Sequence, residues 1–102
     1  MKKILLVCCA GMSTSLLVSK MQAEADKKGV ECTISATGEA DAKEYIDDTD
    51  VLLLGPQVRF LLPKFQKDLA GKIPVEVINT VDYGTMNGAK VLGRALELIE
   101  NK

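Results

Sequence analysis

The chain has 102 residues, 47% of them hydrophobic and 26% charged, and its thirteen basic and fourteen acidic side chains leave a net charge of −1. That length suits one domain, residues 1–102, and the charge balance excludes the clustered basic excess of a nucleic-acid binder. With no histidine in the chain, zinc, haem and Ser-His or Cys-His catalysis lose their usual partner, and neither metal nor cofactor is expected.

No apolar run approaches the roughly 18 residues that cross a bilayer. The opening Met1-Lys2-Lys3-Ile4-Leu5-Leu6-Val7 has the look of a signal peptide. Its apolar stretch is short, though, and runs into a small-residue loop without a cleavage pattern, so a first strand explains it better. Cys8, Cys9 and Cys32 cannot close a set of disulfides and match no metal spacing, which fits a reduced, cytoplasmic protein.

In chain order, Lys3 to Val7 is a continuous apolar run, the first strand. Ser13 to Lys28 reads as a helix, with Leu17, Met21 and Ala25 on one face and Gly29 as its stop. Val30, Cys32, Ile34 and Ala36 alternate with polar residues, the period of a strand with one wet face. Glu39 to Ile46 is a short helix. Val51 to Leu54 is a second continuous apolar run, stopped by Gly55-Pro56. From Gln57 to Leu69, the residues Val58, Leu61, Leu62, Phe65 and Leu69 form a helical stripe that Pro63 breaks or restarts. Pro74 to Ile78 is a last short strand, and Gly88 to Glu100 a closing helix with Val91, Ala95, Leu98 and Ile99 on one face.

Alternating strands and helices predict an α/β fold with a four-stranded parallel sheet between helical layers. Strands buried on both faces read as continuous apolar runs. The first and third strands therefore belong in the centre, the alternating second and the short fourth at the edges. The predicted order is 2-1-3-4. Ligands of open α/β sheets bind at the carboxyl ends of strands beside a topological switch, here Cys8 with its loop and Gly55-Pro56-Gln57.

The loop Cys8-Cys9-Ala10-Gly11-Met12-Ser13-Thr14-Ser15 joins the first strand to the first helix. A tight turn of small residues aims backbone N–H groups at one spot, in front of a helix N-terminus. Gly11 permits positive φ, and the hydroxyls of Ser13, Thr14 and Ser15 either cap the helix or donate to phosphate oxygens. A cysteine at that mouth is favoured as thiolate, so nucleophile and phosphate cradle coincide at Cys8. A cysteine ending a buried strand can also be a small hydrophobe. Cys9 and Cys32 read as structural, and Met12 as packing.

A phosphatase loop of pattern Cys-x5-Arg would place arginine where Thr14 stands, so the clamp that stabilises hydrolysis is missing. Asp82 is only a distant candidate for a general acid. A Walker A loop lacks its Gly-Lys-Ser/Thr, and a receiver domain would need carboxylates where Cys8 and Cys9 stand. The site is suited to accept a phosphoryl group and hand it on. A thiol redox protein using Cys8 and Cys9, and a phosphatase or arsenate reductase, are the competing classes. The first lacks a Cys-x-x-Cys motif and the second its arginine.

The segment from Leu6 to Leu17, with its Cys-x-Ala-Gly-Met-Ser-Thr-Ser core, resembles the phosphocysteine loop of the lactose/cellobiose (chitobiose) family of enzyme IIB proteins of the bacterial sugar phosphotransferase system. Val51 to Gln57 is similar to that family's third strand and Gly-Pro-Gln turn, and Pro74 to Ile78 with Tyr83-Gly84 to its last strand and following turn. The resemblance implies a fold like that of low-molecular-weight tyrosine phosphatases. It implies that a histidine of enzyme IIA phosphorylates Cys8, and that the phosphoryl group passes to a β-linked disaccharide held by membrane enzyme IIC. The loop residues Cys9 to Ser15 would bind the phosphate, with Gln57 and Tyr83 as supporting donors or docking residues. A monomer at the inner face of the membrane is expected.

Overall fold

Two apolar runs fix the middle of the molecule. In the computed structural model, which describes residues 2–7, 11–69 and 72–100, strand β1 is Lys2–Val7, β2 Cys32–Thr37, β3 Val51–Leu54 and β4 Val75–Val77. The order is β2-β1-β3-β4, and every pairing is parallel, with Val7 opposite Leu54 and Leu54 opposite Val77. Ile4 to Val7 and all of β3 are at most 1% exposed, as continuous runs require. On the edge, β2 alternates between buried and wetter positions, and β4 is half-buried throughout.

Alternation along the strands sends their side chains to opposite faces. Ile4, Leu6, Val51 and Leu53 meet Leu17, Met21 and Ala25 of α1 (Gly11–Lys28), together with Val91, Leu92 and Ala95. Leu5, Val7, Leu52 and Leu54 meet Val58 and Leu61 of the 3-10 helix Pro56–Leu61, and Phe65 and Leu69 of α2 (Leu62–Leu69). Each buried Val, Leu, Ile, Met or Phe among them contributes about 1.5–3 kcal/mol by leaving water. After β4 come α3 (Thr80–Gly84) and α4 (Gly88–Glu100), and α4 carries the Val91, Leu92 and Ala95 just named. The result is a three-layer α/β domain.

Where element ends differ from expectation, local hydrogen bonds explain why. Gly29 takes φ +71; its N–H donates to the Asp26 carbonyl and the Val30 N–H to the Ala25 carbonyl. That pair is a Schellman cap, so Val30 belongs to the helix stop and β2 begins at Cys32. The short helix expected over Glu39 to Ile46 is two 3-10 helices, Glu39–Glu44 and Ile46–Asp48. The stripe from Gln57 to Leu69 breaks ahead of Pro63, which sits in the first turn of α2 where its missing N–H costs nothing.

The α3 helix was not expected. Asn79 creates it, its side-chain oxygen accepting from the N–H groups of Val81 and Asp82. Asn87 does the same for α4, accepting from the Lys90 N–H at 3.1 Å. The polar Glu76 in β4 is accounted for by Arg94 of α4, whose Nε and Nη2 donate to its two carboxylate oxygens at 2.7 Å each, pinning the edge strand to the helix.

Candidate functional site: the carboxyl ends of the central strands

The carbonyl of Val7, the last residue of β1, accepts a hydrogen bond from the Gly55 N–H at 2.8 Å. The turn after β3 is thus fastened to the residue before Cys8. Cys8, Cys9 and Ala10 lie outside the described residues, as do the side chains of Gly11, Met12, Ser13 and Thr14. The described backbone brackets them. β1 ends at Val7 and α1 begins at Gly11, two residues earlier than the apolar periodicity indicates.

Gly11, Met12, Ser13 and Thr14 are therefore the first turn of an 18-residue helix, and Ser15 follows on its exposed surface. No acidic residue occupies that first turn, so no carboxylate there offsets the partial positive charge of the helix end. Lys27 and Lys28 stand in the last turn, against its negative end.

Gln57 and Tyr83 are brought together. Gln57 lies at the start of the 3-10 helix after β3, and Tyr83 in α3 after β4. The Gln57 Nε2 donates to the Tyr83 hydroxyl oxygen at 3.3 Å. Tyr83 itself is 8% exposed and belongs to the same buried cluster as Leu6 and Leu17, residues on either side of the loop in sequence. Asp82, its neighbour, lines a cavity of about 340 Å³ together with Glu76, Lys90 and Arg94.

Leu16 at 51%, Phe60 at 70% and Val81 at 69% are large apolar side chains that stand exposed. They belong to α1, the 3-10 helix after β3, and α3, the elements that leave β1, β3 and β4. None of the three belongs to an apolar stripe of the sequence. Their signal was available in Phe60, which falls outside the helical stripe of its own segment. The remaining cysteine, Cys32, is buried; burial chiefly, and Asp26 secondarily, push its thiol up, with Lys2 partly opposing. Such a thiol stays protonated and inert.

The family model described as "PTS system, Lactose/Cellobiose specific IIB subunit" matches residues 3–94. The chain belongs to this family. It is 47% identical over 103 residues to the PTS system oligo-beta-mannoside-specific EIIB component of Bacillus subtilis (strain 168), covering all of both chains. It is 48% identical over 105 residues to the galactose-specific EIIB component of Lactococcus lactis subsp. cremoris, covering 96% of each. The solution structure of the cellobiose-specific phosphotransferase IIB component from Borrelia burgdorferi superposes with a TM-score of 0.83 at 48% identity, over 99% of this chain and 94% of that one. As an EIIB component the protein is a phosphotransferase acting in phosphoryl transfer to sugar. EIIB components generally work with EIIA and membrane EIIC proteins. Among the described residues no helix is long and apolar enough to cross a membrane.

Proposed function

We propose that Cys8 of this EIIB component takes the phosphoryl group from a phosphohistidine of enzyme IIA and delivers it to a β-linked disaccharide held by membrane enzyme IIC. The bracketing of Cys8 carries this reading. It directly follows a buried strand end fastened to Gly55, and stands three positions ahead of Gly11, where α1 begins without an acidic residue in its first turn. A thiol there is drawn toward thiolate.

In the first step the sulfur–phosphorus bond forms as the nitrogen–phosphorus bond breaks, and the electron pair goes to the imidazole. In-line attack needs positioning more than covalent help, and the amides from Cys9 to Ser15 donate to the equatorial oxygens. In the second step the sugar oxygen displaces sulfur, which leaves as thiolate. The hydroxyl proton goes to a base of enzyme IIC, because this chain has no histidine to take it. Thr14, in place of a clamping arginine, leaves the group free to move on.

Relatives named for oligo-beta-mannoside and cellobiose support a β-linked substrate of cellobiose, chitobiose or lactose type. Exposed Leu16, Phe60 and Val81 suit a site that must be covered by partner proteins in turn, at the inner face of the membrane.

The test is incubation with phosphorylated enzyme IIA followed by mass mapping and measurement of the adduct's acid and base lability. Phosphate on Cys8 with the lability of a thiophosphate is expected. Phosphate on Cys9 or on a hydroxyl residue would overturn the assignment.

A further inference from the structure

Resting on the reading that this protein works at the inner face of the membrane, we propose that the outward face of residues 59–67 binds anionic phospholipid directly. Val58, Leu61, Phe65 and Leu69 turn inward against the sheet. The helical period therefore turns Pro63, Lys64 and Lys67 outward on α2. All three are exposed, as are Arg59 and Phe60 in the 3-10 helix before them. Among the described residues neither Arg59 nor Lys67 takes part in an ion pair.

Charge is segregated along this layer. The chain as a whole stands at −1, so an even distribution would be repelled by an anionic surface. Between β3 and β4, however, Arg59, Lys64, Lys67 and Lys72 stand against the single acid Asp68. Between β2 and β3, six acids from Glu39 to Asp50 stand against Lys43 alone. Ala42 shares the buried cluster of Phe65 and Leu69, so both segments cover one face of the sheet, the acidic one toward β2 and the basic one toward β4. An anionic leaflet draws down the basic side and pushes off the acidic side, which sets one tilt. Each basic residue near such a surface strengthens binding about fivefold. Phe60, 70% exposed, supplies a ring for the headgroup region. It serves donor and leaflet in turn, since a carrier leaves one before it meets the other. An acidic protein surface would answer the same charges. The bilayer is favoured because EIIB components work with membrane EIIC proteins, beside an anionic leaflet.

The full chain is floated with vesicles of phosphatidylcholine, with or without phosphatidylglycerol, and with no other protein present. Co-flotation is expected only with phosphatidylglycerol and is reversed by high salt. Arg59→Gln and Lys67→Gln should each lower partition about fivefold, and the two together about 25-fold. Lys27→Gln, in α1 on the opposite face of the sheet, should change it less than about twofold. Flotation with neither vesicle, or equally with both, would overturn the inference. So would an equal loss in Lys27→Gln and Lys67→Gln, which would report net charge alone. Self-association in sedimentation velocity that Lys67→Gln abolishes, without flotation, would assign the face to a second copy instead. Mapping of phosphate to Cys8 is read separately, so that reading stands or falls independently of the vesicle result.

Discussion

The amide of Gln57 donates to the hydroxyl oxygen of Tyr83 across 26 residues of sequence. The bond joins the turn after β3 to the helix after β4. With the Gly55–Val7 bond, it ties the elements following β3 and β4 to the end of β1.

Cys8→Ser is expected to abolish phosphoryl transfer from enzyme IIA, while Cys9→Ser retains most of it. An ordinary serine hydroxyl stays protonated at neutral pH, whereas a cysteine before a helix N-terminus is substantially thiolate. Radiolabel transfer to each variant measures this, and full labelling of Cys8→Ser would refute the carrier assignment.

Thr14→Arg is expected to slow delivery to the sugar. Its guanidinium would add a charge-assisted hydrogen bond of about 1.5–3 kcal/mol to the bound phosphoryl group. Hydrolysis should rise only weakly, since no general acid accompanies it. Single-turnover transfer kinetics decide the matter; a rate equal to wild type in a folded variant would remove the argument from the missing arginine.

Phe60→Glu or Val81→Asp is expected to weaken binding of the phosphoryl donor about tenfold each, as loss of an exposed apolar anchor does. The fold should be spared, because both side chains are mostly in water. Tyr45→Ser serves as the control: Tyr45 is 43% exposed but lines a pocket with Lys3 and Thr33, near the amino ends of β1 and β2. Donor concentration dependence of the phosphorylation rate reads the effect, and equal losses in all three variants would dismiss a docking rim.

Gly88→Ala and Gly93→Ala are expected to act in opposite directions, although both lie in α4. An added Cβ at Gly88 would stand 2.7 Å from the Lys20 carbonyl carbon and 2.8 Å from the Met21 nitrogen. Backbone atoms cannot swing aside, so α1 and α4 must separate, at a cost of about 1–3 kcal/mol. At Gly93 an added Cβ meets nothing within 4 Å, and alanine gains about 0.5–1 kcal/mol from helix propensity. Urea denaturation of the two variants gives the comparison; equal midpoints would contradict the close approach of α1 and α4.

The strand order was legible in the sequence because burial on both faces removes polar residues. Ile4 to Val7 and Val51 to Leu54 could only be central, and the alternation of β2 could only be an edge. The same logic placed Cys8 at the carboxyl end of a central strand beside the switch point, where reactive groups of such sheets gather. Those inferences rest on local periodicity, which a chain carries in its own order.

What periodicity cannot carry is the meeting of residues far apart. Nothing in the spacing of Gln57 and Tyr83 says that their side chains touch, or that Arg94 neutralises Glu76 at the edge. The α3 helix was missed because five residues hold too little pattern to read, and a single capping side chain, Asn79, creates it. Val30 looked like strand because its side chain is apolar, but its N–H is spent closing α1. In each case a specific hydrogen bond decided the outcome. Such bonds form only once the sheet has brought their partners within reach.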